Sequence, residues 1–257
     1  MSNNDNSSKQ LEYAMLRYEL ARDKILNAIE GLKRELELKR RLEDDPNKYP
    51  QIERVESRIK SESSIMAKCQ KKGIEPTIDG IEQNIHDIVG IRIVTVFRHE
   101  IYQIADALLA TPGINFVKVK DYIESPKESG YRGYHLIVSV EVYSRGRSSI
   151  VTGEIQIRDL LMDAWSKIEH RKRYKPHDNL SESLDASFTK HADILDRFDL
   201  EVDNSETSLN SFGISDPNLP YVAAFQGVVV VSDEEPNYGD DADTEFGSGV
   251  NKIPEAD

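Results

Sequence analysis

Two runs, YHLIVSVEVYS (Tyr134–Ser144) and SIVTGEIQIRD (Ser149–Asp159), stand on either side of the turn RGRS and limit the folds open to this chain more than any other feature. In the first, Leu136, Val138, Val140 and Val142 alternate with His135, Ile137, Ser139 and Glu141, the two-residue period of a strand with unlike faces. In the second, Glu154, Gln156 and Arg158 fall on one face, with Ile155 and Ile157 on the other. DIVGIRIVTVF (Asp87–Phe97) and INFVKVKDYI (Ile114–Ile123) read as two further strands.

Helical periodicity brackets this β-rich middle. Leu11, Met15, Tyr18, Ile25, Ile29, Leu32 and Leu36 recur at three- and four-residue steps and predict a helix from about Lys9 to Leu42, ended by EDDPNKYP. A second helix is expected over much of Gln51–Lys72, stopping at Gly73, with a short helical turn around Ile81. HEIYQIADALLATPG, LLMDAWSKIEHRKRY and SESLDASFTKHADILDRFDLEV supply the rest. Helices at both ends of a block of strands predict an α+β fold with a mixed sheet flanked by helices.

Charge is distributed unevenly. The net charge is −13, yet Glu201–Asp257 holds 13 acidic residues against one lysine, Lys252, so almost all of it lies there. The remainder is close to neutral, which leaves it open to an anionic substrate. The expected organisation is therefore disorder over residues 1–8, one domain over 9–207, and an acidic, low-order tail over 208–257. Within the tail, YVAAFQGVVVV (Tyr221–Val231) is an apolar island that could dock on something. No apolar run reaches the roughly 20 residues of a membrane span. The single cysteine, Cys69, cannot form an internal disulfide; it reads as a buried, inert thiol in a cytoplasmic protein.

Four clusters carry chemistry. In SRIKSESSIMAKCQKKG, Lys60, Ser64 and Lys68 are four apart and would share a helical stripe suited to polyphosphate, with Arg58 off that stripe; a solvated basic face explains the segment as well. In HDIVGIR, Asp87 opens a strand, Gly90 permits close backbone approach and Arg92 follows. An aspartate so placed is a natural Mg²⁺ ligand where a nucleotide phosphate supplies the remaining oxygens, or simply a strand end facing water. SPKESGYRGYH crowds Lys127, Tyr131 and His135 at one strand mouth, just beyond Lys120, and Tyr131 beside Gly130 can present its ring to a base. The fourth cluster is the row Glu154, Gln156, Arg158, which an exposed sheet face would also explain.

RIKSESS, DIVGIR, KDYIESPKESGYRGYH, GEIQIR and MDAWSKIEHRKRYK, in this order and spacing, resemble the synthetase domain of the RelA/SpoT family over roughly Glu53–Lys175. They are most similar to its single-domain members, the small alarmone synthetases. The resemblance implies a nucleotidyltransferase-like fold and transfer of the β,γ-pyrophosphate of ATP to the 3′-hydroxyl of GDP or GTP, releasing AMP. By the same resemblance Arg58, Lys60, Ser64, Lys68 and Arg92 would bind ATP, and Asp87 would ligate Mg²⁺. Glu154 would share that metal or take the proton of the attacking hydroxyl. Tyr131 would stack on the acceptor base, with Lys120, Lys127, Ser129, His135, Gln156 and Arg158 around it.

Two departures fall beside the base reader: Ser129 stands where long family members carry Asn, and Gly133 where Ser is common. They leave open a toxic member of the family, acting on an adenosine nucleotide or the tRNA 3′ end. HRKRYK (His170–Lys175) would then be the RNA contact, and an antitoxin the partner. An inactive nucleotide-binding module is a further alternative, against which the presence of both Asp87 and Glu154 argues. Family likeness also suggests a homo-oligomer.

Overall fold

The computed structural model describes the backbone over residues 2–43, 48–173 and 182–211, and side chains over 13–43, 48–171 and 187–205. The order of elements is α1 (Ser2–Leu42), β1 (Ile52–Ile59), α2 (Glu62–Lys72), α3 (Ile78–Asn84), β2 (Val89–Thr95), α4 (Arg98–Leu109), β3 (Asn115–Asp121), β4 (Tyr134–Ser144), β5 (Arg147–Asp159), α5 (Leu160–Arg173) and α6 (Glu182–Ser211). The strands form one five-stranded sheet in the order β1-β2-β5-β4-β3. Only β2 and β5 run parallel; the other neighbours are antiparallel, so the sheet is mixed as expected.

The hairpin at the centre of the sheet follows from its turn. Arg145 and Gly146 have φ of 50° and 76°, the pair of positive values that matches a two-residue turn to the twist of its strands. Ser144 then pairs with Arg147, and the register runs unbroken to Tyr134 opposite Ile157.

One face of the sheet is the hydrophobic core. Val89, Ile91 and Ile93 of β2, Ile155 and Ile157 of β5, and Leu136, Val138, Val140 and Val142 of β4 are buried there. Against them pack Ala14, Tyr18, Ala21, Ile25, Ile29, Leu32 and Leu36 of α1, and Ile101, Ile104, Ala105 and Leu108 of α4. The helical period thus extends through two alanines that let α1 lie close. At Gly153 a Cβ would stand 3.1 Å from Ile25 Cδ1 and 3.2 Å from Val89, so this strand residue is small because the helix crosses above it. Cys69 is a free thiol buried in the same core, and burial raises its pKa.

One expectation needs correction. Residues 52–59 form an edge strand, not the start of a helix; the helix begins after the cap residue Ser61, whose hydroxyl accepts from Ser64 N. Ile52, Val55 and Ile59 are spaced three and four apart, which imitates a helical stripe, and the polar face of the strand hides its alternation. The N-terminal helix also takes in Ser2–Ser8, polar residues that carry no apolar period. At the other end, α6 continues to Ser211; the remainder of the proposed tail, Tyr221–Val231 included, lies outside the described residues. Among the described residues no helix is long and apolar enough to cross a membrane.

Asp159 ends β5 and caps α5, its Oδ1 accepting from Met162 N at 2.7 Å. Burial, reinforced by the charge of Asp199, pushes its carboxyl up to about 8. The folded chain therefore holds a proton that the unfolded chain gives up above about pH 4. Stability contributed by this group is full at acid pH and is lost as pH rises through about 8. Asp159→Asn keeps the cap and gives Asp199 a permanent donor. We expect it to melt higher than wild type at about pH 8, by about 2–4 °C per kcal/mol recovered, with little difference at about pH 4; thermal melts at the two pH values check this.

Candidate active site

The face of the sheet opposite the core is polar, and its register writes out the site. Across the five strands, paired neighbours align Arg58, Gly90, Glu154, Ile137 and Lys118 in one row, and Glu56, Arg92, Gln156, His135 and Lys120 in the next. Side chains of directly paired residues share a face. The motifs scattered between Arg58 and Arg158 are thereby gathered into a single patch.

Asp87 stands two residues before β2, at the edge of the first row. Its Oδ2 accepts from Lys60 Nζ at 2.7 Å and from Lys68 Nζ at 2.9 Å. Burial alone would raise the carboxyl, but the two ammoniums outweigh it and hold the pKa below the usual range, so Asp87 is ionised. Its Oδ1 is buried and has no hydrogen-bond partner among the described residues. The lysines reach it by a route other than the expected stripe: Lys60 lies between β1 and α2, Lys68 on α2, and they converge because the strand-to-helix corner folds over Asp87. Ser64 sits in the first turn of α2, its hydroxyl 2.8 Å from that of Ser61. Arg58 lies across Gly90, where a Cβ would come within 3.4 Å of its Cγ, so the open backbone of Gly90 accommodates this side chain. Arg92 is buried, its Nη1 3.4 Å from Glu56 and 3.6 Å from Asp163.

Glu154 closes a ring of hydrogen bonds that sequence spacing does not reveal. Arg158 donates through Nη2 to Gln156 Oε1 at 2.7 Å, and Gln156 Nε2 donates to Glu154 Oε2 at 2.8 Å. In the other direction Arg158 donates through Nε and Nη2 to the Tyr131 hydroxyl, at 3.1 and 2.7 Å. That hydroxyl, already an acceptor, points its proton at His135 Nε2, 2.6 Å away. His135 then carries its own proton on Nδ1 and donates it to Glu154 Oε1 at 3.1 Å. Both arms run downhill in charge, from a guanidinium to a carboxylate. Burial opposes ionisation of Glu154, yet His135, Gln156 and Lys120 together hold its carboxyl well below the usual range. Burial lowers the pKa of His135, which fits the neutral tautomer the ring requires.

Tyr131 is thus more enclosed than a stacking platform would be, at 5% exposure. Lys127 Nζ stands 5.0 Å from its ring centroid and 4.7 Å from that of Tyr122, a cation over two aromatic rings. Gly133 shapes this arrangement, since a Cβ there would come within 3.0 Å of the Tyr131 hydroxyl. Lys120 pairs with His135 across β3 and β4, and Ser129 is half-buried in the loop between them. The side chains of residues 172–175, within the segment named above as an RNA contact, lie outside the described residues.

An ionised aspartate under two ammoniums, near enough to an ionised glutamate to feel its charge, is the equipment of an enzyme that works on phosphate groups. The profile described as "Region found in RelA / SpoT proteins" matches residues 57–179. The chain is 40% identical to GTP pyrophosphokinase YwaC of Bacillus subtilis over 143 residues, 56% of this chain and 68% of that protein. It is 35% identical to GTP pyrophosphokinase YjbM of the same organism, over 68% of this chain and 82% of the relative. The structure of small alarmone synthetase 1 from Bacillus subtilis bound to its product pppGpp superposes with a TM-score of 0.63 at 31% identity, covering 79% of this chain and 99% of that one. This chain belongs to the RelA/SpoT family.

Proposed function

We propose that this protein is a pyrophosphokinase that transfers the β,γ-pyrophosphate of ATP to the 3′-hydroxyl of GDP or GTP, making (p)ppGpp and releasing AMP. The names of its relatives support that activity. The observation that carries it is the gathering of Asp87 and Glu154 at one site, where the charge of Glu154 bears on Asp87, with Lys60 and Lys68 on Asp87 and Lys120 beside Glu154.

ATP is assigned to the corner between β1 and α2. Lys60, Lys68, Arg58 and the Ser64 hydroxyl at the helix N-terminus suit its phosphates, with Arg92 behind them. The donor set fits Mg²⁺: Asp87 Oδ1 is buried and unpartnered, and this ion takes one or two carboxylates and completes its shell with water and phosphate. Among the described residues no group of three His, Cys, Asp or Glu side chains gathers into an all-protein cage. Asp87 would hold the ion; when bound, it supplies positive charge to the oxygens of the transferring group.

The acceptor is assigned to the loop before β4. A base taking the place of Lys127 over the Tyr122 and Tyr131 rings releases its ammonium to the acceptor phosphates. Arg158, 2% exposed, serves by holding Tyr131 and Gln156 rather than by touching a ligand. Glu154, with His135 and Gln156 fixing its direction, accepts the proton of the ribose hydroxyl. Bound nucleotide phosphates add negative charge beside it and raise its proton affinity when a base is needed. The test is incubation with labelled ATP and GDP, GTP, ATP or deacylated tRNA. A 3′-pyrophosphorylated guanosine nucleotide with equimolar AMP is expected. Label on only an adenosine nucleotide or tRNA would reassign the acceptor, and no transfer at all would leave an inactive binding module.

A further inference from the structure

The loop that connects β3 to β4, residues 122–133, is long for a connection between neighbouring antiparallel strands, which are commonly joined by about 2–5 residues. Its own bonds are few: Tyr122 N donates to Gly133 O, Lys127 N to Tyr131 O and Gly130 N to Lys127 O. Asp121 holds its first residues, accepting from Ile123 N and Glu124 N, and Arg158 and His135 hold Tyr131; further support comes from α6, more than fifty residues further along the chain. Arg132 pairs with Asp196: Nη2 donates to Oδ2 at 2.9 Å, and Nε lies 2.8 Å from Oδ1. The Thr189 hydroxyl donates to Glu128 O at 3.4 Å. Gly130, at φ 79°, sits so close to the helix that a Cβ there would stand 2.4 Å from Ala192 Cβ.

Asp196 is also bound from the other side. Arg98, the first residue of α4, donates to Asp196 Oδ1 and lies 2.9 Å from Asp199. One carboxylate therefore ties a guanidinium of the loop to a guanidinium of the scaffold, and all three side chains are largely shielded from water, at 13%, 10% and 19% exposure for Arg132, Arg98 and Asp196. Without it Arg98 keeps Asp199, but Arg132 is left with the more distant Asp193, 3.9 Å away, across a gap that also contains a cavity of about 20 Å³ beside Trp165, Ala192 and Leu195. Arg132 belongs to the GYRGYH motif, yet neither the ATP corner nor the Glu154 ring uses it.

We propose that Asp196 is a positioning residue for the acceptor loop: through Arg132 it holds α6 as a backstop that sets how often residues 128–132 stand ready for the acceptor nucleotide. This rests on the assignment of the loop to the acceptor. The apparent affinity falls in proportion to the ready fraction, so Asp196→Asn should raise the acceptor KM about tenfold if that fraction drops to about a tenth. The KM for ATP should stay within about twofold, as should kcat at saturating acceptor. Asp196→Glu, which keeps the charge, should recover most of the loss. Arg132→Lys keeps a cation but loses the guanidinium that donates to Asp196 and leaves the Arg98 pair intact; it gives a smaller effect in the same direction and carries the test should Asp196→Asn fold poorly. If both KM values move together, or the acceptor KM of folded variants stays at wild type, the backstop is overturned. Tyr131→Ala separates that failure from an error in the underlying assignment. A rise in acceptor KM for Tyr131→Ala without one for Asp196→Asn sinks only the backstop, whereas a rise in ATP KM for Tyr131→Ala sinks the acceptor loop itself.

Discussion

Glu154→Gln should lower kcat for pyrophosphate transfer by about 10²–10⁴-fold, the usual contribution of a positioned proton acceptor, while both nucleotides still bind. The substitution is nearly isosteric, so packing changes little. What changes is the end of the ring. The carboxylate now accepts from His135 Nδ1 on one oxygen and from the Gln156 amide on the other. A glutamine offers one acceptor and one donor, so one of these partners loses its bond or must turn. If His135 changes tautomer, its Nε2 proton meets the Tyr131 hydroxyl, which Arg158 already fills with donors. Tyr131→Phe probes the same relay from the other end: it keeps a ring for stacking and removes the hydroxyl. Its kcat should fall about tenfold with the acceptor KM near wild type, since a hydrogen bond to a charged group contributes about 1.5–3 kcal/mol and about 1.4 kcal/mol is a factor of ten. Single-turnover assays alongside equilibrium binding of each nucleotide check both. Undiminished transfer by Glu154→Gln would remove Glu154 from the chemistry.

The ring also marks where a linear reading stops. Alternation alone put Glu154, Gln156 and Arg158 on one face and His135 opposite the valines, because side-chain direction in a strand is local. The hairpin follows from the same locality and its turn. The strand Ile52–Ile59 escaped detection because it is an edge strand whose outer row, Arg54, Glu56 and Arg58, faces the site rather than the core. A functional face replaces the apolar residues by which strands are recognised, leaving three apolar positions at helical spacing. The convergence of Lys60 and Lys68 on Asp87 was foreseeable in its residues but not in its geometry. Tyr131 and Asp196 lie further from sequence legibility. Nothing near Tyr131 announces that Arg158 will enclose it, and the partners Arg132 and Asp196 are 64 residues apart. Such contacts exist only once α6 has docked.

Asp87→Asn should abolish transfer, by at least about 10²-fold, without loss of ATP binding, and the two effects have one cause. On the proposed reading the carboxylate has two duties on two oxygens: Oδ2 pairs with Lys60 and Lys68, and Oδ1, without a hydrogen-bond partner among the described residues, would be the donor for a divalent ion. An amide does neither well. Lys60 is almost wholly buried, at 5% exposure, so removal of its counter-charge should destabilise the empty protein by about 1–3 kcal/mol. The same two ammoniums, no longer held by Asp87, become better partners for a polyphosphate. Metal-free ATP should therefore bind Asp87→Asn at least as tightly as wild type and raise its melting temperature by more, since a ligand that binds only the folded state stabilises it in proportion to its occupancy. Raising Mg²⁺ should not restore the rate, because the deficit lies in a missing ligand atom rather than in weak occupancy of an intact site. Calorimetry with ATP in chelator, melting curves with and without nucleotide, and rates across a Mg²⁺ titration distinguish the outcomes. Recovery of transfer at high Mg²⁺ would mean that Asp87 lends only affinity for the ion, and loss of metal-free ATP binding would mean that Lys60 and Lys68 depend on Asp87 for their placement rather than compete with it.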